Sequence, residues 1–158
     1  MREIKDIKLV ATGLGWVGKG IHLFSSVITE MIENAKIKLV VTIYMINNWD
    51  IAKELINALE EGIKTDIYIY GPMNLKDFSK VIFDKFIDLE KIHKHLNLHI
   101  IEDKMLHAKI LIADDSKTLV GSANLTLSGM EKNYELGIFV EDIKISQQIL
   151  TILEELDK

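Results

Sequence analysis

The chain contains no cysteine, which excludes disulfide bonds, thiolate zinc sites and a cysteine nucleophile together. It contains a single proline and no low-complexity tract, a composition typical of a compact, regular domain without linkers. A chain of 158 residues is long enough for one sizeable hydrophobic core and short for two. We therefore expect residues 1–158 to form one domain.

Long apolar segments are also missing. The longest apolar run, 39–46, contains a threonine and is far too short to cross a bilayer, so we expect no membrane segment. The first residues include Arg2, Glu3, Lys5 and Asp6, and no apolar segment of the kind found in a signal peptide follows them. From these two absences we expect an intracellular, cytoplasmic protein.

The chain also has no excess of basic residues. The net charge of −5 argues against broad electrostatic wrapping of nucleic acid, which normally requires a basic face. A local basic cleft remains compatible with this charge.

Hydrophobic periodicity predicts alternating strands and helices early in the chain and clustered strands later. The predicted strands cover residues 7–12, 38–46, 65–70, 98–101, 106–113, 118–120 and 135–140. The predicted helices cover residues 21–35, 51–61, 75–95 and 143–156, the third with Phe78, Ile82, Phe86 and Leu89 on its apolar side. This order predicts an α/β fold in which a mixed β-sheet is sandwiched between helices.

A glycine-rich loop follows the first predicted strand. Residues 13–18 read GLGWVG, which has the spacing of a dinucleotide-binding turn. However, the next predicted strand ends in YMIN, without the acid that would bind a ribose, and Trp16 is bulky for a loop that must approach a pyrophosphate. We favour a flexible loop from Gly13 to Gly20, with a lid over a site as one option, and keep the dinucleotide turn as the alternative.

Three histidines, His93, His95 and His99, lie close together in the sequence. Residues two apart on a helix do not share a face, and no carboxylate beside them completes a set of metal ligands. We interpret them as solvated histidines near a helix end and expect no metal site.

Polar side chains suited to phosphoryl chemistry concentrate between Met105 and Asn124. Alternate residues of a strand share a face, so in the predicted strand 106–113 His107 and Lys109 point the same way, about 7 Å apart. Taken alone, such a pair could also be edge-strand residues that face water. Asp114 has the opposite parity and follows the strand, so we expect it to have a structural or interface role.

Residues further along the chain favour a site. The turn Gly121–Asn124 is small and polar, and both Ser122 and Asn124 can donate hydrogen bonds to a phosphate. Glu135 opens the last predicted strand, where a carboxylate among apolar residues needs a cationic or imidazole partner. The convergence of these side chains at strand ends predicts a phosphoryl-transfer site.

The same residues resemble a known family. His107-x-Lys109, Asp114 and Gly121-Ser122-x-Asn124 match every fixed position of the H-x-K-x4-D-x6-G-S-x-N signature of the phospholipase D superfamily. Glu135 matches the glutamate that supports the histidine in the short, single-motif bacterial endonucleases of that superfamily. The Gly13–Gly20 loop has no counterpart in the pattern.

The resemblance implies a phospholipase D-like αβα sandwich that cleaves phosphodiesters without a metal or other cofactor. His107 would form a phosphohistidine, Glu135 would hold its other ring nitrogen, and three groups would bind the phosphate oxygens: Lys109, Ser122 and Asn124. Asp114 and Gly121 would belong to the structural part of the motif. Because the chain has only one H-x-K, the resemblance implies a homodimer with two His107 side chains facing each other.

For the substrate we favour nucleic acid, DNA or RNA, with a modest preference for single-stranded DNA. A lipid phosphodiesterase and a catalytically silent nucleic-acid-binding module are the alternatives. A nuclease of this net charge requires a set of lysines to lie on one face of the dimer: Lys104, Lys109, Lys117 and Lys132, with Lys19 of the glycine loop as an optional addition. Trp16 or Tyr134 could offer a stacking surface or be ordinary packing residues. Nucleases of this type also occur in DNA restriction and phage-defence systems.

Overall fold

The structure is a computed structural model that describes residues 6–158. Arg2, Glu3 and Lys5, on which the expected absence of a signal peptide depends, lie outside the described residues. The strands are β1 (Asp6–Thr12), β2 (His22–Leu23), β3 (Lys38–Ile43), β4 (Lys64–Tyr70), β5 (Leu96–Ile101), β6 (Ile110–Ala113), β7 (Lys117–Gly121) and β8 (Glu135–Glu141). The α-helices are α1 (Phe24–Glu33), α2 (Trp49–Glu60), α3 (Asp77–Ile92) and α4 (Ile143–Glu154).

These strands form one mixed sheet with the order β2-β1-β8-β7-β6-β3-β4-β5. The neighbours β3, β4 and β5 are parallel, as expected for strands joined by helical crossovers. From β3 across β6, β7 and β8 to β1, every pair is antiparallel. The prediction of an α/β fold with a mixed sheet is therefore confirmed.

The helices divide unequally between the two faces of this sheet. The apolar sides of α1, α2 and α3 share one large core on the first face, which includes Phe24, Leu55 and Phe86. On the second face α4 packs alone, with Leu153 in a smaller cluster beside Val40 and Ile112. The sandwich predicted from the sequence is present, with three helices on one face and one on the other.

Because α4 lies over β3, β4, β6 and the start of β7, where Ser146 contacts Thr118, part of the second face has no helix over it. Five large apolar side chains of β1, β7 and β8 are 42–56% exposed there: Ile7, Leu9, Val120, Leu136 and Ile138. The register places Leu9 and Val120 on either side of Ile138, so they form a continuous patch. We call these five residues the bare sheet face. Among residues 6–158, no helix is long and apolar enough to cross a membrane.

Two predicted elements differ in ways that bear on function. The strand predicted over 106–113 is regular only from Ile110, and His107 lies in an exposed, extended segment before it. Phe78, predicted on the apolar side of the third helix, is 77% exposed. The helix begins only at Asp77, so Phe78 lies in its first turn, while Ile82 and Phe86 are buried as predicted.

Candidate active site

A threonine side chain shapes the backbone on either side of Lys109. The buried Thr42 hydroxyl, on β3, donates to the carbonyl oxygen of Ala108 at 2.7 Å and accepts from the amide of Ile110 at 2.9 Å. One hydroxyl thus replaces the backbone bonds that a longer β6 would make with β3. This explains why the predicted strand is shortened and how His107 and Lys109 are presented at its end. The threonine within the apolar run 39–46 was the sequence signal for this role.

His107 and Lys109 lie together, as the sequence predicted. Nζ of Lys109 donates to the carbonyl oxygen of His107 at 2.7 Å and lies 3.1 Å from its Nδ1. Partial burial lowers the pKa of Lys109, although the negative charge of Glu135 acts in the opposite direction. A phosphate at this point would meet an imidazole and an ammonium at the same time.

A tyrosine that the sequence motif does not include packs against both groups. The ring of Tyr44, just beyond β3, meets the His107 ring edge-on with centroids 4.6 Å apart. The Nζ of Lys109 lies 5.2 Å from the Tyr44 centroid, within the range of a cation–π contact. On the other side of Tyr44, the ring of Tyr70 stacks nearly parallel at 5.7 Å. The position of both tyrosines at the carboxyl ends of parallel strands was the available signal.

Glu135 is close to the site but does not bond to His107 in this structure. Its two carboxylate oxygens accept hydrogen bonds from the Ser122 hydroxyl and from the Asn133 amide, the latter at 3.0 Å. The Ser122 hydroxyl also accepts from the amide of Leu136 at 3.1 Å. Ser122 therefore holds Glu135 in this structure, whereas the family resemblance implied that it binds phosphate. Asn133 was not foreseen.

Asn124 lies half-buried beside the same pair, at the wall of a small apolar cavity of about 30 Å³ that Lys109 and Tyr44 also line. Its Oδ1 is buried and has no hydrogen-bond partner among the described residues. The backbone around it is fixed by Leu125, whose carbonyl accepts from the amides of Asn47 and Asn48. Close packing of Gly129 against the Asn124 backbone leaves no room for a Cβ at that glycine. An unpaired buried amide oxygen is costly, which is typical of functional sites.

The glycines of β7 and β8 have a steric role. Gly121 and Gly137 are cross-strand partners, and the Phe24 ring packs onto both of them. A Cβ at Gly121 would lie 2.5 Å from Cζ of Phe24, and one at Gly137 would lie 2.6 Å from it. The first turn of α1 can therefore sit directly below the strand ends that carry the site.

Asp114 lies away from this group, at the far end of β6. Its carboxylate accepts hydrogen bonds from the amides of Lys36, Ile37 and Lys38 at 2.8–3.1 Å, and so ties the β6–β7 turn to the start of β3. Burial raises the pKa of Asp114, but these amides and the charge of Lys117 outweigh it, so that the pKa lies below its usual value. The geometry is that of a scaffold contact.

The expected set of lysines is only partly assembled. Lys117 opens β7, whereas the site lies beyond the opposite end of that strand. Lys117 is therefore roughly 13 Å from Gly121, at 3.3 Å per strand residue. Within one chain Lys117 lies away from the site, and the requirement that these lysines share one face of the dimer stays a prediction. Lys104 and Lys132 are exposed in segments that lead into the site residues.

The Gly13–Gly20 loop does not form a dinucleotide turn. It folds back on itself through a backbone bond from Trp16 to Gly13 and a bridge between Gly18 and Ile21, and α1 begins only at Phe24. No helix N-terminus therefore meets the loop, as pyrophosphate binding would require. The Trp16 ring packs on Tyr134 with centroids 4.9 Å apart.

The histidines predicted to be solvated are partly engaged. His99 lies on β5, where Nδ1 is 2.6 Å from Asp157 and Nε2 is 3.4 Å from Asp66, and its ring stacks on Tyr68. The interpretation of His99 as a solvated residue near a helix end is wrong, because the partner carboxylates come from distant segments. His95 lies 2.7 Å from the carbonyl of Leu59. Within residues 6–158, no three donor side chains are grouped as metal ligands.

Curated proteins that are similar to this chain carry several different names. The chain is 24% identical over 154 residues to cardiolipin synthase A of Buchnera aphidicola subsp. Schizaphis graminum, covering 95% of this chain and 30% of that protein. It is 28% identical to the DISARM protein DrmC of Bacillus paralicheniformis, covering 91% and 60%. It is 29% identical to phospholipase D of Rickettsia prowazekii, covering 78% and 57%. The chain thus spans about a third to three-fifths of these relatives.

Comparison with solved structures gives a close match in fold. Nuc of Salmonella typhimurium, a phospholipase D family member, superposes with a TM-score of 0.79 at 19% identity, covering 95% of this chain and 92% of that one. NucT of Helicobacter pylori gives 0.72 at 20% identity, covering 96% of both. TrmBL2, an archaeal chromatin protein that binds DNA, gives 0.67 at 18% identity, covering 96% and 52%. At these identities the likeness shows the shared fold.

The family follows from a match to a family model. The model described as "Cardiolipin synthase, PLD-like domain" matches residues 28–156, which include every residue of the H-x-K, Asp114 and G-S-x-N set and Glu135. Because this match covers most of the chain, the protein belongs to the phospholipase D-like family.

Proposed function

We propose that the protein is a metal-independent phosphodiesterase, specifically a nuclease that cleaves DNA or RNA through a phosphohistidine on His107. One observation carries the proposal: the Lys109 ammonium lies 3.1 Å from a ring nitrogen of an exposed His107. A nucleophile and a cation are thus side by side where a phosphate can approach. Nucleophilic catalysis of this kind splits one difficult displacement into two easier steps.

In the first step a lone pair of the neutral His107 ring attacks phosphorus, and the bond from phosphorus to the leaving oxygen breaks. The leaving oxygen takes a proton from a second imidazole. In the second step that imidazole removes a proton from water, whose oxygen attacks phosphorus and releases His107. Lys109 and Asn124 stabilise the charge on the non-bridging oxygens. Glu135 lies near Lys109, and we propose that it supports the imidazolium in the active assembly.

The second imidazole comes from a second copy of the chain. The bare sheet face borders the strand ends that carry the site. Val120 directly precedes Gly121, and Leu136, whose amide donates to the Ser122 hydroxyl, directly follows Glu135. An apolar patch of this kind marks an interaction surface. A two-fold homodimer through it would bring two His107 side chains toward each other.

Several features favour a nuclease over a lipid enzyme. Nuc and NucT match over more than nine-tenths of both chains, whereas cardiolipin synthase A is covered over only 30% of its length. This chain is short and contains a single H-x-K motif, and in both respects it resembles the endonuclease branch of the superfamily. The lipid phosphodiesterase remains the second candidate, because relatives named cardiolipin synthase and phospholipase D match. A silent DNA-binding module is the third, because the TrmBL2 fold matches.

The experiment that separates these candidates compares single-stranded DNA, duplex DNA, RNA and phospholipid vesicles as substrates, each in excess EDTA. We expect nucleic acid to be cleaved, single-stranded DNA fastest, and the vesicles to stay intact. Cleavage of phospholipid alone would identify the lipid enzyme, and binding of DNA without turnover would identify the silent module. His107→Ala is the control that assigns any turnover to this site.

A further inference from the structure

A groove of about 460 Å³ opens at the carboxyl ends of β3 and β4, beside the first turn of α3. Its walls combine apolar and polar side chains: Met45, Met73, Phe78, Asn47, Lys76 and Asp77. This volume lies within the range of small-molecule sites in proteins. None of these side chains belongs to the phosphoryl-transfer site described above.

Two segments that line the groove directly follow an aromatic row that packs on that site. Tyr44 packs against His107 at 4.6 Å, and Tyr70 stacks on Tyr44 at 5.7 Å with their planes only 10° apart. Met45 directly follows Tyr44, and the wall formed by Pro72 and Met73 follows Tyr70 closely. We take this row, from Tyr44 to Tyr70, as the path along which a substrate held at His107 by its phosphate would extend toward the groove.

Phe78 gives the groove its most unusual feature. Helical periodicity placed this ring on the core side of α3, yet it is 77% exposed while Ile82 and Phe86 on the same helix are buried. Burying a large aromatic ring is favourable. The exposed Phe78 ring at the edge of the groove would gain this free energy of burial by covering a ligand. The neighbouring Asp77 has φ +51°, a left-handed conformation that few non-glycine residues adopt.

We propose that this groove is a nucleobase-binding subsite for the nucleotide next to the scissile phosphate, an inference that rests on the proposed nuclease function. The flat faces of a base would contact the Phe78 ring and the thioethers of Met45 and Met73. The polar edge of a base carries both donors and acceptors. Asp77 offers acceptors to this edge, and Lys76 offers a donor.

Asn47 adds a second donor. Its Oδ1 already accepts from the amide of Leu127 at 3.0 Å, which leaves the NH2 group to face a ligand's acceptor. An acyl chain in the same groove would desolvate these polar groups without pairing them, which is costly. The mixed lining therefore favours a heterocycle over a lipid tail. Stacking on an aromatic side chain is also tolerant of base identity, as a nuclease of broad specificity requires.

The test uses three small chromogenic diesters that share one leaving group. Methyl 4-nitrophenyl phosphate reports the phosphoryl chemistry alone, and the 4-nitrophenyl phosphodiesters of thymidine, linked through O3′ or O5′, add a nucleoside on either side. We expect at least one thymidine ester to have a KM about tenfold below that of the methyl ester, as the loss of one base stack implies. In Phe78→Ala this preference should disappear, while kcat and KM for the methyl ester stay at the wild-type values.

The matched control is Ile92→Ala, which removes an equally exposed apolar side chain (73%) at the other end of α3. It should keep the preference for the thymidine ester. An unchanged preference in Phe78→Ala would overturn the base subsite while leaving the nuclease proposal standing. Turnover of the methyl and thymidine esters without any cleavage of DNA or RNA would instead remove the nuclease proposal. Binding of wild type but not Phe78→Ala to anionic phospholipid vesicles, with no nucleoside preference, would assign the groove to a membrane surface and overturn the inference.

Discussion

The ring of Tyr44 packs edge-on against His107, with centroids 4.6 Å apart, and the same ring lies 5.2 Å from Nζ of Lys109. His107 lies outside regular secondary structure and is exposed, so its own backbone does little to fix its ring. The aromatic contact therefore orients the imidazole beside the ammonium. In the proposed mechanism Tyr44 would act through His107, as a positioning residue.

Replacing Tyr44 tests this contact. An edge-on aromatic pair contributes about 0.5–1.5 kcal/mol, so Tyr44→Leu should lower kcat by roughly two- to tenfold and leave KM nearly unchanged. Tyr44→Phe retains the ring and should keep kcat near the wild-type value. Steady-state kinetics on a small diester measures both variants. Equal losses of kcat in Tyr44→Phe and Tyr44→Leu would show that the tyrosine hydroxyl, and not the ring, matters.

The sequence predicted the sheet, its helices and the group formed by His107, Lys109, Asn124 and Glu135, because apolar periodicity and one long motif encode them locally. It could not predict contacts between distant segments. The bond from Thr42 to Ala108 spans 66 residues and shortens a strand that local periodicity extends. The carboxylates beside His99 likewise come from β4 and from the end of the chain, so the residues around the histidine gave no sign of them.

Asp114→Asn should reduce stability more than catalysis. The carboxylate accepts bonds from three backbone amides, and bonds to a charged group contribute about 1.5–3 kcal/mol each. Asparagine tolerates the positive φ of +53° at this position, so the variant isolates the charge. We expect a free energy of unfolding lower by about 2 kcal/mol, measured by urea titration, with kcat of the folded dimer little changed. A normal dimer and melting temperature with abolished activity would contradict the scaffold role.

The Asp114 contact also has a pH dependence. The pKa of Asp114 is lowered in the folded chain, so its contribution is complete above the unfolded value near 3.8 and is lost as the pH falls through the folded pKa. The difference in stability between wild type and Asp114→Asn should therefore shrink in acid. A stability difference between wild type and Asp114→Asn that stays constant down to pH 2 would contradict this contribution of the Asp114 charge.

The contribution of His99 to stability should depend on pH in the opposite way to that of Asp114. The hydrogen bond with Asp66 raises the pKa of His99 above 6.5, burial opposes this, and Asp157 adds to it. Its stabilisation is therefore complete below pH 6.5 and is lost as the pH rises through the folded pKa. Melting temperatures of wild type should fall over this interval more than those of His99→Phe, which keeps the stack on Tyr68. Parallel profiles for the two proteins would argue against this ion pair.

The dimer can be tested on the bare sheet face. Charges at two exposed positions, Leu9→Lys with Ile138→Lys, should yield a folded monomer with no activity, because the second imidazole is lost. Ile37→Lys, at an equally apolar and 72% exposed site elsewhere, should remain dimeric and active. Analytical ultracentrifugation and turnover on one preparation measure both properties. Full turnover by a stable monomer would contradict the shared site.

The most direct measurement of the central claim is the capture of the covalent intermediate. Single-stranded DNA labelled at each end in turn is mixed with the enzyme in excess EDTA, quenched rapidly in denaturant at alkaline pH and separated by size. We expect one labelled protein–DNA adduct that is stable in alkali, is released by acid, maps to His107 and is absent in His107→Ala. Cleavage that requires an added divalent metal, or an active His107→Ala variant, would contradict it.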